Sequence, residues 1–262
     1  MGAGILMSEF FGAGKSELLK KELSTTLLFG FGFSVLMALT GILFTTPILG
    51  LLNVPDEVLS ITCIYLRIIF LGTPFTYFYN TLASALKSIG DSKTPLKFLI
   101  FSSLLNGILD IILIGLLHFG IACSAVTTVI AEIVSALLSI IYIYKKIPLL
   151  QLKKEDIQIN RTLLKQTIRY GSVTALQQAC QPIGKLLIQG YVNTLGVDII
   201  AAYNAVTRVD DFAFTPEQSI SHAITTFVAQ THMPRSPGTT INETSLYKII
   251  GFHCLPPYYL LY

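Results

Sequence analysis

The sequence is short of charge. Only 13% of its 262 residues are Asp, Glu, Lys or Arg, and tryptophan is absent altogether. A soluble domain carries about 25% charged residues, and half that fraction leaves too little charge to coat a water-facing surface. The net charge of +3 is also small, which argues against a nucleic-acid binder with a basic face. Most of the surface must therefore face an apolar environment.

Residues that bind metals or form disulfides are scarce as well. The four cysteines and four histidines stand far apart in the sequence and lack the spacing of a disulfide framework or a metal site. The glycines before Lys15 do not form a phosphate-binding loop, because Glu9 stands where the pattern requires a further glycine. No Ser/His/Asp or Cys/His grouping has support from the local sequence. We therefore expect no enzyme activity, no catalytic residue, no metal site and no resident cofactor.

What the sequence has in abundance is long apolar runs. A helix needs roughly 20 mostly apolar residues to cross the hydrocarbon core of a bilayer. Six stretches meet this length, at residues 23–52, 58–86, 95–117, 121–144, 163–195 and 199–228. Short breaks with proline or glycine separate them. The sequence therefore predicts an all-α polytopic membrane protein with six transmembrane helices.

The lysines and arginines support this count independently. Thirteen of the 18 Lys and Arg residues fall in alternate connections, at residues 15–22, 87–97 and 145–169. The connections between these, at 53–57, 118–120 and 196–198, contain none. Cytoplasmic loops carry the excess of Lys and Arg in membrane proteins. We therefore expect a multi-pass protein of the cell membrane, in a bacterium the inner membrane, with the N-terminus in the cytoplasm.

Polar residues recur along one face of the fifth and sixth predicted helices. At 100° per residue, the polar side chains of the fifth helix fall within about 120° of one another. They are Thr174, Gln177, Gln178, Gln181, Lys185 and Gln189. The sixth helix repeats the pattern with Asn204, Thr207, Asp211, Thr215, Gln218, His222 and Thr225. Such stripes indicate a face turned towards water, a ligand or other helices.

The third and fourth helices carry a second polar group. Asn106 and Asp110 are four residues apart and therefore share one face of the third helix. The fourth helix has a stripe of small and polar residues, namely Ser124, Thr128, Glu132, Ser135 and Ser139. For the serines and threonines the preferred interpretation is close helix packing. For Asp110 and Glu132, packing and a place in a polar pathway remain equally open.

Short motifs in this order resemble those of the multidrug and toxic-compound extrusion (MATE) family. Residues 8–15 (SEFFGAGK) resemble the end of the second family helix, and 88–95 (SIGDSKTP) resemble a cytoplasmic turn after the fourth. Further matches are residues 65–67 (YLR), 71–75 (LGTPF), 106–110 (NGILD), 169–172 (RYGS), 175–177 (ALQ), 192–193 (VN), 201–203 (AAY) and 227–230 (FVAQ). The resemblance covers residues 1–230.

The resemblance implies two related six-helix lobes around a central cavity. Such transporters exchange Na⁺ or H⁺ for amphipathic or cationic compounds by alternating access. Residues 1–144 would then hold the end of helix 2 and helices 3–6 of the first lobe, 145–161 the cytoplasmic inter-lobe loop, and 162–230 helices 7 and 8. The cavity candidates are Gln177, Gln178, Gln181, Lys185, Gln189, Asn204, Thr207, Asp211, Gln218, Asn106 and Asp110. We expect a monomer in the bilayer.

The chain also departs from the family pattern. The first family helix has no counterpart, and the seventh has glutamines and Lys185 where many members have a glutamate. Residues 231–262 contain four prolines and no apolar run of spanning length, which indicates an irregular or frameshifted tail on a truncated chain. Two alternatives to drug export therefore remain open. One is a flippase for lipid-linked oligosaccharides with the same architecture, and the other is an inactive fragment.

Overall fold

The computed structural model describes residues 2–51, 56–192 and 197–231, and all regular secondary structure in these ranges is helical. Helix α1 is short and covers Gly2–Gly12. The long helices are α2 (Ser16–Leu51), α3 (Asp56–Ser88), α4 (Lys93–Asp110), α5 (Ala122–Lys146), α6 (Arg161–Val192) and α7 (Val197–Thr231). All six predicted helices are therefore present, which confirms the predicted fold class. Residues 232–262, which make up nearly all of the predicted irregular tail, lie outside the described residues.

Apolar composition and length make several of these helices candidate membrane spans. Within the described residues, four segments meet both conditions, namely Ser16–Gly50, Leu59–Ser88, Lys93–Leu116 and Ala122–Lys146. Helices α6 and α7 are as long as α3, but they carry the polar stripes and fall below this apolarity. Large apolar side chains are exposed along the spans, including Leu43 at 73% and Leu116 at 71%. This surface is suited to acyl chains rather than to water.

The buried core lies at one end of the helix bundle. It is formed by the start of α2 and α6 and the end of α3 and α5, together with α1. Its members are Leu6, Met7, Phe10, Leu19, Leu23, Leu82, Ala85, Leu86, Ile143, Leu150 and Leu163. The lysines at residues 15–21, 87, 145 and 146 stand at the same helix ends. We call this the basic end, and it holds the buried hydrophobic core.

Helix α2 begins earlier than the sequence pattern predicts. The prediction placed residues 15–22 in a connection and the helix start at residue 23, whereas α2 begins at Ser16. The segment contains no glycine or proline after Gly14, and Leu19 and Leu23 both enter the core at the basic end. Burial of these leucines therefore extends the helix through a charged segment that precedes the apolar run.

The segment between α5 and α6 is ordered by hydrogen bonds to its neighbours. Helix α5 ends at Lys146 rather than at residue 144, and α6 begins at Arg161. The Gln158 backbone N–H donates to the Ser24 hydroxyl (3.1 Å), and the Asn160 N–H donates to the Thr25 hydroxyl (3.1 Å). The Asn160 side chain in turn accepts the N–H of Thr162 at 3.0 Å, which caps the start of α6. This segment therefore holds α6 against α2.

Candidate functional site

An ion pair joins the two polar stripes predicted for the last helices. The ammonium group of Lys185 on α6 contacts the carboxylate of Asp211 on α7. The side chains are 37% and 58% exposed, so the pair lies on an open face and not inside a packed core. Both residues are well inside their helices, where an isolated charge in contact with lipid is costly. The pairing therefore neutralises two charges at the place where the polar stripes of α6 and α7 meet.

The other candidate residues on α6 and α7 differ in how far their side chains are exposed. Gln178 and Asn204 are exposed, whereas Gln189 and Thr207 are half-buried. The Thr207 hydroxyl donates to the Tyr203 carbonyl within α7 at 2.7 Å. The side chains of Gln177, Gln181 and Gln218 lie outside the described residues. Helices α6 and α7 run without interruption through Pro182 and Pro216.

The second polar group is a hydrogen-bonded cluster between α4 and α5. The Asn106 amide donates to the Thr127 hydroxyl at 3.1 Å, and the Ser124 hydroxyl donates to Asp110 at 3.1 Å. The Thr127 hydroxyl, which is fully buried, also contacts the Asp110 carboxylate. Asp110 is the last residue of α4 before the π-helical segment Ile111–Leu116. The structure thus brings Asn106 and Asp110 together, and each has partners on the neighbouring helix.

The second half of the small-residue stripe on α5 is used for packing. Ser135 and Ser139 are buried, and Ser139 donates to the Ser135 carbonyl at 2.8 Å within the helix. Glu132 is half-buried, and its carboxylate lies beside Gly72 of α3. Small buried residues let the helix backbones approach closely, as the sequence analysis expected. The stripe therefore stabilises the α3–α5 contact.

One buried carboxylate was missed by the sequence analysis. Glu22 on α2 is fully buried and accepts a hydrogen bond from Thr26 at 3.0 Å. Its Oε1 also lies 2.6 Å from the hydroxyl of Thr167 on α6. A signal was present, because Leu19, Glu22, Leu23 and Thr26 follow helical spacing through the lysine-rich segment. Reading that segment as a connection hid the signal.

A second carboxylate orders the turn between α3 and α4. Asp91 accepts the N–H of Thr94 at 3.0 Å and the hydroxyl of Tyr142 on α5 at 3.1 Å. Burial alone would raise the pKa of Asp91, but hydrogen bonds from Thr94, Tyr142 and the Lys93 backbone outweigh it and lower the pKa below its ordinary value. Asp91 therefore joins three helices at the basic end in its ionised form.

Comparisons with a family model and with curated proteins point to the same family. The MatE family model matches residues 1–112. The probable multidrug resistance protein YoeA of Bacillus subtilis is 32% identical over 236 residues, which cover 87% of this chain and 51% of that protein. The multidrug export protein MepA of Staphylococcus saprophyticus is 26% identical, over 81% of this chain and 47% of that protein. The chain thus spans about half the length of the curated relatives it matches.

Solved structures show the same architecture. A MATE transporter crystallised in a bent conformation superposes with a TM-score of 0.83 at 20% identity, over 96% of this chain and 55% of that one. An outward-facing multidrug resistance transporter of the MATE family superposes with a TM-score of 0.78 at 21% identity, over 88% and 51% of the two chains. At these identities the likeness establishes the arrangement of the helices.

Proposed function

Because the chain belongs to the MATE family of multi-pass membrane proteins, we propose that it forms part of a drug exporter. In this proposal the transporter moves amphipathic or cationic small molecules out of the cell in exchange for Na⁺ or H⁺. The relatives in Bacillus and Staphylococcus are named for multidrug resistance and multidrug export, which supports this substrate class. The coupling ion is cargo, and no resident cofactor is part of the proposal.

The observation that carries the proposal is the Lys185–Asp211 pair. Its two side chains project from neighbouring helices of a membrane protein onto a face that is polar and exposed. Sites of transporters built from repeats lie between the repeats, near the middle of the bilayer. We therefore assign this face of α6 and α7 to the transport cavity, where an organic cation or a coupling ion would displace Lys185 from the carboxylate of Asp211.

The orientation follows from the charges at the basic end. Lysines stand where α2 begins and where α3 and α5 end, and the opposite connection at residues 117–121 has no Lys or Arg. The positive-inside rule then places the basic end in the cytoplasm. We propose a monomer in the cell membrane, and for a bacterium this is the inner membrane.

A flippase for lipid-linked oligosaccharides is the alternative with the same architecture. Binding of a lipid phosphate favours a cavity with several unneutralised Lys or Arg side chains. Here the cationic group of Lys185 is already neutralised by Asp211. The pairing neutralises Asp211 to the same degree, so the preference for a cationic or amphipathic substrate rests on the multidrug names of the relatives.

The proposal is tested in a chimera with a second lobe. Residues 1–231 replace the matching half of the Bacillus relative, and ethidium efflux is measured in a drug-sensitive bacterium. We expect D211N to reduce the efflux rate at least tenfold, because it removes the cavity carboxylate. Asp210 is its exposed neighbour on α7 and supplies the control D210N, which should stay within twofold. Equal efflux in the two variants would refute the role of Asp211.

The unmodified chain provides a further prediction. Alternating access requires two lobes that move against each other, and this chain spans about half of its relatives. We therefore expect that the 262-residue chain, expressed alone in the same bacterium, gives no ethidium efflux above the empty vector. Ion-dependent efflux from the chain alone would overturn this expectation and would exclude an inactive fragment.

A further inference from the structure

A buried carboxylate with one unpartnered oxygen lies at the contact between α2 and α6. Glu22 Oε1 accepts the Thr26 hydroxyl at 3.0 Å and lies 2.6 Å from the Thr167 hydroxyl. Among the described residues, Oε2 of Glu22 is buried and has no hydrogen-bond partner. Burial of a carboxylate oxygen without a partner costs free energy that hydration would return. This contact is therefore unusual for one that serves only to stabilise the fold.

The same two groups of helices meet a second time at a pair of glycines. Gly2 on α1 faces the α6 backbone so closely that a Cβ on Gly2 would overlap the Gly171 nitrogen and lie 2.7 Å from the Gly171 Cα. A Cβ on Gly171 would meet no atom within 4 Å. The close approach therefore depends on the absence of a side chain at Gly2. It does not depend on Gly171, which serves as the matched control on the facing helix.

We propose that these two contacts form a latch that closes the transport pathway at the basic end, and that the latch opens when α6 moves away from α1 and α2. Glu22 and Thr167 are its positioning residues, because they hold the helices together without touching the substrate. This inference rests on the proposed transport function. Opening would admit water to the free oxygen of Glu22 and would break the glycine contact in the same movement.

The geometry favours a latch over a permanent joint. The Thr167 hydroxyl lies 2.6 Å from Glu22 and 2.9 Å from the Leu163 carbonyl of its own helix, so it keeps an acceptor when α6 departs. Thr26 stays with Glu22 on α2 in either state. Separation at Thr167 therefore costs only its contact with Glu22, and Glu22 gains hydration. The hydrogen bonds of Gln158 and Asn160 to α2 remain as the pivot of the movement.

Cysteine labelling in lipid nanodiscs tests the latch directly. The four native cysteines are replaced by serine, and a membrane-impermeant maleimide reports on S24C, which lies buried beside the latch on α2. The change to the Ser24–Gln158 hydrogen bond is common to all S24C samples, so the variants are compared with S24C alone. In separate samples the maleimide reports on S139C, which is buried in α5 at a similar distance along its helix from the basic end. Each reporter is combined with G2A, G171A, T167V or T167S.

We expect G2A and T167V to raise the labelling rate of S24C at least fivefold, because they remove the close approach and the hydroxyl contact. G171A and T167S should leave that rate within twofold, and S139C should stay unchanged throughout. A parallel rise at S139C would mean general loss of packing and would overturn the proposal, as would S24C rates within twofold in all variants.

The outcome separates the latch from the function on which it rests. If the labelling pattern holds but the chimera gives no efflux, the drug-export proposal fails and the latch remains as a conformational contact. If efflux is present and labelling of S24C is flat, only the latch is refuted.

Discussion

Asp91 shows how one side chain secures several helices. It accepts hydrogen bonds from the start of α4 and from Tyr142 on α5. Asn160 caps the start of α6 in the same way, through its side-chain oxygen and the N–H groups of Thr162 and Leu163. The two caps differ in charge, and this difference makes them a matched pair.

We predict that D91A and N160A each lower the free energy of unfolding by about 1 kcal/mol near neutral pH. The pKa of Asp91 is lowered in the folded chain, so its contribution is complete above the unfolded pKa and is lost as the pH falls through the native pKa. The gap in melting temperature between D91A and the wild type, measured in detergent, should therefore be constant down to about pH 4 and shrink as the pH falls further. The gap for N160A should persist, and convergence of both pairs would contradict the assignment.

At the scale of the elements, α2 and α3 are held by an aromatic ring set against a glycine. The Tyr77 hydroxyl on α3 donates to the Thr26 carbonyl on α2 at 2.6 Å. Its ring fills the space that a side chain at Gly30 would occupy. Gly32, two residues further along α2, has no atom within 4 Å of where its Cβ would stand. The interface therefore depends on Gly30 and tolerates change at Gly32.

We predict that G30A reduces the apparent free energy of unfolding by about 1–3 kcal/mol, since the added methyl group must displace Tyr77. G32A should be neutral or stabilise α2 by up to about 1 kcal/mol, because alanine favours the helix and meets no neighbour. A titration with SDS in mixed micelles measures both. Equal changes in the two variants would show that the contact between the Tyr77 ring and Gly30 does not control this interface.

For the whole molecule, the main asymmetry lies between the two ends of the bundle. The core is concentrated at the basic end, whereas the π-helical segment and the residues after it, such as Phe119 at 62% exposure, lie at the other. The basic end also carries the lysines that orient the chain, the Asp91 turn and the latch. Tight packing and positive charge therefore coincide on the side that we place in the cytoplasm.

This orientation predicts the outcome of reporter fusions. Green fluorescent protein fused after residue 152 should fluoresce, because the segment between α5 and α6 is then cytoplasmic. A fusion after residue 119, between α4 and α5, should be dark, and alkaline phosphatase at the same two sites should give the reverse. Fluorescence after residue 119 would show that the chain is inserted the other way round.

The helices and their polar faces could be predicted from the sequence, whereas the partners of the polar groups could not. Periodicity placed Lys185 and Asp211 on polar faces, but it treats each helix separately and so could not pair them. Asn106 and Asp110 were likewise grouped correctly without Thr127, which comes from α5. The burial of Glu22 was not predicted, because a span is recognised by its apolar run, and burial by helix packing can continue beyond that run. Packing between helices adds the information that a single helix lacks.

The length of α2 places the latch in a particular layer of the membrane. With 36 residues, α2 is about 54 Å long, well beyond the roughly 30 Å hydrocarbon core. The surplus is taken up by tilt or by projection of its first turns, which carry Lys20, Lys21 and Glu22, into the lipid headgroups. Where these turns project, the contact of α2 with α6 lies at the level of the lipid headgroups. Bilayer thickness and anionic lipid content become external variables that act on it without any change in the sequence.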